Sequence, residues 1–240
     1  AQMGLSGLFV LTAVLAVLGI AVVVWLVPQE PELHKDAARG GLRHVLSSPA
    51  LLRLNIGVFV LHAVQLAMWV AIPAFLVQAG LGKDDHWQIY LPAVLGSFVV
   101  MGGVFPLERR GYLRAVFLSA IALIAAVQVV LLWVSSGAPS ITCLAWLLFA
   151  FFCGFNVLEA TQPSLVSRIA PAASRGAAMG VYNTLQSLGF FAGGVMGGQL
   201  VKSYGTQGLF LTCGAFMLLW LVVAWPMVAP ARSPHVAKTP

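Results

Sequence analysis

Charged side chains are scarce in this chain of 240 residues. Asp, Glu, Lys and Arg make up 8% of it, whereas 60% of the residues are hydrophobic and the mean hydropathy is +0.94. Soluble domains carry about 25% charged residues, so this composition excludes an ordinary soluble domain. The sequence therefore predicts an all-α polytopic membrane protein.

Cysteine is also rare, and its placement argues against two further classes of protein. The three cysteines, Cys143, Cys153 and Cys213, lie in apolar segments without paired spacing, which fits neither a disulfide framework nor a zinc site. The sequence contains no nucleophile–base set, phosphate-binding loop or metal-ligand spacing. We therefore expect no enzyme activity, no cofactor and no metal, and interpret His34 and His44 as surface residues.

The chain also lacks an initiating Met and a signal peptide, and its first residue stands at the head of an apolar run. We expect it to be part of a longer chain.

Long apolar runs are what the chain does contain. A membrane-spanning helix needs about 20 mostly apolar residues, and seven segments qualify. We refer to them as spans 1 to 7, at residues 4–27, 51–79, 87–106, 114–134, 141–169, 176–204 and 208–228. Residues 28–50 are predicted to be a cytoplasmic linker, whose second half, GLRHVLSSPALLRLN, has the spacing of an amphipathic interfacial helix. Residues 229–240 are predicted to be a disordered cytoplasmic tail.

The basic residues lie mainly at one end of the spans, and this asymmetry predicts the orientation. Lys83 and Lys202 fall at the other end, and the remaining eleven of the 13 basic residues share one side. These eleven are Lys35, Arg39, Arg43, Arg53, Arg109, Arg110, Arg114, Arg168, Arg175, Arg232 and Lys238. The richer side is predicted to be cytoplasmic, so the chain ends inside. Because topology accounts for the net charge of +6, we expect no nucleic-acid partner.

The distribution of polar residues predicts an internal repeat. Spans 2 and 5 are the polar ones, spans 3 and 6 are rich in glycine, and spans 4 and 7 are almost wholly apolar. Residues 51–228 therefore contain two copies of a three-helix unit, which are inverted because each has an odd number of spans. Inverted three-helix repeats are typical of transporters. Span 1 is then interpreted as the last, lipid-facing helix of an earlier unit.

Three side chains of span 2 share one helical face near the middle of the membrane. His62, Gln65 and Trp69 are spaced i, i+3 and i+7. Because imidazole changes charge near neutral pH, His62 is a candidate proton-binding or substrate-contacting residue. The alternative is a histidine satisfied by a neighbouring carbonyl group.

Span 5 carries a glutamate inside an apolar segment, where burying an acidic side chain costs free energy. Asn156 and Glu159 share a face, and about 27 Å of helix separates Glu159 from the outer end, which predicts a position near the cytoplasmic boundary. Glu159 is a candidate proton carrier. It is equally a candidate latch to Arg168 or to the opposite inner loop, with Arg109, Arg110 or Arg114. The two roles can coexist.

Small residues form a stripe along span 6. Gly189, Gly193 and Gly197 are spaced by four, which allows close helix packing. The stripe is either a sliding surface between two halves of a transporter or a static packing surface. Tyr182 and Gln186, also four apart, are candidate substrate contacts.

Three runs resemble a known family, the major facilitator superfamily, and within it the YajR-type inner-membrane transporters. They are LLRLNIGVFVLHAV (51–64), GFNVLEATQPSLVSRIAP (154–171) and RGAAMGVYNTLQSLGFFAGG (175–194). The loop LERRGYLR resembles the family's motif A at Glu108, Arg109, Gly111 and Arg114, although Val104 stands where the motif begins with glycine. The likeness covers nearly the whole chain, as the C-terminal half of such a transporter and the last helix of the N-terminal half.

The resemblance implies a function. It implies proton-driven efflux of small solutes or drugs across a bacterial inner membrane, with spans 2 and 5 lining a central cavity. Spans 3 and 6 would face a missing N-terminal half, and spans 1, 4 and 7 would face lipid. A seven-helix receptor is the first alternative, although no span holds a buried lysine for a retinal-type Schiff base, and a membrane scaffold is the second.

Overall fold

Helices account for nearly all of the chain that the structure, a computed structural model, describes. The described residues are 5–26, 41–137 and 139–228, without the side chains of Leu5, His44 and Arg109. The chain divides into two compact units, residues 1–37 and 38–240. The first contains α1 (Leu5–Leu26), an uncharged helix of 22 residues, which at 1.5 Å per residue spans ~33 Å.

The second unit is a bundle of helices. They are α2 (Gly41–Ser47), α3 (Pro49–Gln78), α4 (Trp87–Leu107), α5 (Leu113–Val134), α6 (Ile141–Ile169) and α7 (Arg175–Ala224). With α1, six helices of the described chain are long and apolar enough to cross a membrane. The predicted all-α membrane fold is confirmed, and no strand occurs among the described residues.

α7 differs from the prediction because spans 6 and 7 are not separated by a loop. The helix is interrupted at Gly205 alone, whose φ of 66° and ψ of −173° are open almost only to glycine. The first arm of α7 (175–204) runs parallel to α3, since Gly189 meets Phe59 and Gly193 meets Ala63. The second arm (206–224) runs antiparallel to α3, since Phe210 contacts Phe75 and Trp220 packs on Gly57. One glycine thus reverses the chain, and the six long helices make seven crossings.

The predicted amphipathic segment is divided between two helices. α2 ends at Ser47, and Ser48 adopts an extended conformation and accepts a hydrogen bond from the backbone N–H of Leu51. Pro49 occupies the first turn of α3, where its missing N–H costs nothing. The serine–proline pair therefore starts a new helix inside the run predicted to be one. The rest of the predicted linker, residues 28–40, lies outside the described residues.

Each three-helix unit places its middle helix against the first helix of the other unit. α4 packs on α6, where Gly96 meets Phe149, and the first arm of α7 packs on α3. This reciprocal arrangement is what inverted repeats produce. The starts of α3 and α5 and the ends of α6 and α7 share one end of the bundle, where Arg53, Phe117, Ile169 and Ala224 line one crevice. We call it the basic end.

Candidate functional site

One polar cluster lies inside the apolar bundle, where α3, α6 and the first arm of α7 meet. The His62 Nε2 atom is 3.0 Å from Glu159 Oε2 and 2.9 Å from Gln186 Nε2. The same Gln186 nitrogen donates to Glu159 Oε1 at 3.0 Å. Each member therefore contacts both of the others. We call these three residues the His62 cluster.

The backbone of α3 fixes the tautomer of His62. Its Nδ1 atom is 2.8 Å from the Val58 carbonyl oxygen, which can only accept, so Nδ1 carries a hydrogen. In the neutral ring Nε2 is then an acceptor and receives one hydrogen of the Gln186 amide, whose second hydrogen reaches Glu159. In the protonated ring Nε2 becomes a donor, and the Glu159 carboxylate is the acceptor within reach.

Aromatic side chains enclose the His62 cluster on one side, and the other side is exposed at the surface of the bundle. His62 is 1% exposed, and the rings of Phe155 and Phe190 stand edge-on to it at 5.8 and 4.6 Å. The side chain of Glu159 is 38% exposed, although its Oε2 atom is covered. The Glu159 carboxylate thus connects the buried His62 imidazole to the exposed face of the bundle on which Glu159 lies. We call this face the open face.

The prediction for the partner and depth of Glu159 needs correction. Its ion-pair partner in the described residues is His62, and no pairing with Arg168, Arg110 or Arg114 occurs there. Nor does it lie nearer the cytoplasmic boundary than His62, because a 3.0 Å contact places both side chains at one level. The error arose from counting residues along α6, which at 29 residues is ~43 Å long and exceeds the thickness of the hydrocarbon core.

The other predicted cavity residues of α3 and α6 form a second group towards α4. Asn156 donates to the hydroxyl of Ser97 at 2.7 Å, and that hydroxyl donates to the Val94 carbonyl oxygen at 2.6 Å. Trp69 stands edge-on to Tyr90 at 5.0 Å, while Gln65 is half-buried. Asn156 and Trp69 thus make these contacts with α4, and they form a group apart from the His62 cluster.

Tyr182, a predicted substrate contact, is buried in the bundle. Its side chain is 2% exposed. The reason is that the first arm of α7 turns this face inward one helical turn before Gln186, which stays half-buried.

Contacts at the basic end hold the motif A-like loop. Gly111 has a φ of 105°, a left-handed conformation that favours glycine, within the five-residue turn that joins α4 to α5. Glu108 accepts a hydrogen bond from the Thr161 hydroxyl at 2.7 Å. Arg114 donates to the Trp225 carbonyl oxygen at 2.7 Å, and its guanidinium lies over the Trp225 ring. The loop is thus tied to α6 and to the end of α7.

One predicted basic residue of this end, Arg168, takes no part in those contacts. Arg168 is exposed in the last turn of α6, a position where a cation is favoured by the helix dipole. The side chain of Arg109 lies outside the described residues.

The glycine stripe packs within the bundle. A Cβ atom on Gly189, Gly193 or Gly197 would fall less than 3.0 Å from the backbone of Phe59, Ala63 or Ala67. The stripe is therefore a static packing surface against α3, and the alternative of a sliding surface between halves does not apply to it. Gly198, on another face of the same helix, has open space around it.

Comparison with known proteins identifies the family. The family model described as Major Facilitator Superfamily matches residues 1–194 and again residues 106–240. The chain belongs to this superfamily.

Its relatives include bacterial and fungal transport proteins. It is 36% identical to the inner membrane transport protein YajR of Escherichia coli (strain K12), over 99% of this chain and 52% of that protein. It is 29% identical to the uncharacterized transporter BU466 of Buchnera aphidicola, over 79% and 50%. Identity to the agnestins efflux protein AgnL12 of Paecilomyces divaricatus is 24%, over 72% and 39%. The chain spans about half the length of the first two.

Membership of the major facilitator superfamily confirms the resemblance drawn from the sequence. The sequence of this superfamily member pointed to polar residues of α3, α6 and α7, but it did not point to Thr161 and Gln162 of α6 or to three of the hydrogen bonds. The bonds of Gln186 to His62, Asn156 to Ser97 and Thr161 to Glu108 join residues 53 to 124 positions apart. The one available signal was that Ser97 is among the few polar residues of span 3.

Proposed function

We propose that the chain is one half of a secondary active transporter, in which the His62 cluster binds the coupling proton. The observation that supports this most is the contact between His62 and Glu159 within apolar helices. An acid in such a segment costs about 2.5–3.5 kcal/mol on insertion scales and usually marks a functional path. The proposed reaction is the exchange of protons for a small solute, by alternating access.

The cluster offers two hydrogen-bonded arrangements for the proton. In one, neutral His62 accepts from Gln186 at Nε2, and the amide bridges to Glu159. In the other, the proton is taken up at the Oε2 atom of Glu159, which then donates to Nε2 of neutral His62, and Gln186 keeps its bond to Oε1. Binding one proton at Glu159 therefore exchanges the hydrogen-bond partner of the imidazole Nε2 atom without moving the Nδ1 anchor on Val58.

The open face of the bundle suggests where the solute binds. Gln65, Trp69, Asn156 and Gln186 are partly exposed and lie on helices that meet there. A solute held by these groups would lie next to the exposed part of Glu159. Solute and proton would then compete for one carboxylate, which is the simplest basis for an exchange of one against the other.

Direction, membrane and partner belong to the same proposal. The name of AgnL12 includes efflux and that of YajR includes the inner membrane. We propose efflux from a bacterial cell, a cytoplasmic basic end with the C-terminus inside, and an N-terminal half as the partner of α4 and the first arm of α7. The contacts of Glu108 and Arg114 would hold one conformation of the cytoplasmic gate, with Arg109 and Arg168 beside them.

The test is transport by the complete transporter in vesicles, with ethidium as the probe solute. His62→Ala and Glu159→Gln should each abolish ethidium accumulation driven by a pH gradient, because neither variant retains both arrangements of the proton. Ethidium exchange down its own gradient should survive, since that movement needs no proton.

The matched control is His86→Ala. His86 is also buried and contacts the ring of Tyr90, yet it lies at the start of α4, far from the basic end. This variant should keep gradient-driven accumulation. If His62→Ala retains it as well, His62 is only a packing residue and the proposal fails.

A further inference from the structure

Three buried polar side chains stand between the His62 cluster and the basic end. Asn55 is 2% exposed, Gln162 is 0% exposed and Tyr182 is 2% exposed. Neither polar atom of Asn55 or Gln162 has a hydrogen-bond partner in the described part of the chain, and nor does the Tyr182 hydroxyl. None of these three residues was a predicted proton site.

Helix directions place all three on the same side of the cluster. α6 runs towards the basic end, so Gln162 lies one turn beyond Glu159. The first arm of α7 runs away from that end, so Tyr182 lies one turn before Gln186. α3 also runs away from it, which places Asn55 two turns before His62.

The packing register brings Asn55 next to α7. Gly189 and Gly193 meet Phe59 and Ala63, four residues on in both helices. One step earlier in the same register, Asn55 is level with Leu185, between Tyr182 and Gln186. The polar groups therefore continue from the His62 cluster towards the basic end inside the bundle, apart from the open face.

Energetics favours an occupant for these groups. A buried polar group without a hydrogen bond destabilises the fold, and native proteins satisfy such groups with neighbours or ordered water. The orphaned atoms include donors and acceptors, since an amide offers both and a phenol hydroxyl can act as either. Water suits such a mixed set of groups, because one water molecule can donate to an acceptor and accept from a donor.

We propose that ordered water binds to Asn55, Gln162 and Tyr182 and relays protons between the basic end and Glu159. In each step a water molecule gives one proton to the next acceptor and receives one from the water behind it, and the last proton goes to the Glu159 carboxylate. The hydration stands by itself, whereas the relay rests on the proposed function of the His62 cluster. Glu159 would thus have a proton entry of its own, separate from the solute cavity.

Radiolytic hydroxyl-radical footprinting of the 240-residue chain tests the hydration. Radicals formed from bound water should label Tyr182 several-fold faster than Phe151 and Phe117, which are equally buried at 0% and 1% exposure but have apolar neighbours. Equal protection of Tyr182 and the two phenylalanines would overturn the proposal.

Two variants link the labelling to the polar groups. Gln162→Leu should reduce labelling of Tyr182 because both orphaned amide atoms are lost, and Asn55→Leu serves if the first variant does not fold. Gln128→Leu is the control, since Gln128 is also a fully buried amide with an unpartnered Oε1 atom, but its Nε2 atom donates to the Met68 sulfur in another part of the bundle. Loss of labelling in the control as well would contradict the assignment.

The relay is tested by the rate at which Glu159 takes up a proton after a pH jump. Time-resolved infrared absorption of the complete transporter follows its carboxyl band. Gln162→Leu should slow the appearance of the band without changing its final height. An unchanged rate would overturn the relay. A wild-type protein without any Glu159 band would overturn the proposed function too, while the labelling result for hydration would stand.

Discussion

At the scale of residues, the contacts of each polar side chain decide between proton binding and solute binding. His62 and Glu159 contact each other and Gln186, whereas Asn156 bonds to Ser97. The first group can hold a proton in two arrangements, while the second presents an amide held in place by a hydroxyl. Substitutions in the two groups should therefore have separable effects.

Ser97→Ala tests the second group. The variant removes the hydroxyl that holds Asn156, and a hydrogen bond of this kind contributes about 1 kcal/mol, or roughly a fivefold change in affinity. We expect the KM for ethidium in the complete transporter to change by about that factor. The pH dependence should be unaltered, because the His62 cluster is untouched.

The control is Ser119→Ala, whose hydroxyl bonds only to the Val116 carbonyl oxygen of its own helix. A shifted pH dependence in Ser97→Ala, or an equal change of KM in the control, would show that the two groups are not separate.

At the scale of helices, close packing of the first arm of α7 against α3 positions Gln186 beside His62. The stripe of Gly189, Gly193 and Gly197 lets the two backbones approach, and the register then sets which side chains meet. A larger residue in the stripe should separate the helices and disturb the cluster.

Gly193→Ala should destabilise the bundle by about 1–3 kcal/mol, the usual cost of overpacking, because the added methyl group meets the backbone of Ala63. Gly198→Ala, on the same helix with open space, should leave stability unchanged or raise it by about 0.5–1 kcal/mol through helix propensity. Thermal unfolding of the isolated chain in detergent measures both. Equal midpoints for the two variants would contradict the packing.

Helix positions were predictable from the sequence, and their junctions were less so. Apolar runs set the long helices because the membrane imposes both length and composition. The reversal at Gly205 escaped prediction, since a single glycine left no polar loop to mark it. The junction at Ser48 and Pro49 did carry a capping signal, which the amphipathic spacing obscured. Contacts such as that of Gln186 with His62 depend on packing register, which periodicity along one helix does not contain.

At the scale of the whole molecule, one long helix of the bundle, α4, has few side chains buried against the other helices. α4 buries only Ala93 and Ser97, and its other side chains are half-buried or exposed. Alternating access also needs two halves that rock about a shared site. These features suggest a partner half rather than a self-sufficient transporter.

We therefore expect no gradient-driven ethidium flux from the 240-residue chain reconstituted alone. Co-expression with the proposed N-terminal half should restore the flux, because α4 and the first arm of α7 would regain their partner. Robust flux from the isolated monomer would contradict the half-transporter proposal. The same vesicles without protein measure the leak.

The central claim is that Glu159 takes up a proton next to His62, and infrared absorption of its carboxyl group tests this most directly. A pH titration of the complete transporter should show a carboxyl band that Glu159→Gln removes and His62→Ala alters, since the imidazole is its hydrogen-bond partner. Glu108→Gln, which removes the other half-buried carboxyl of the described bundle, should leave that band in place. A titration that is identical in the wild type and in Glu159→Gln would contradict the account.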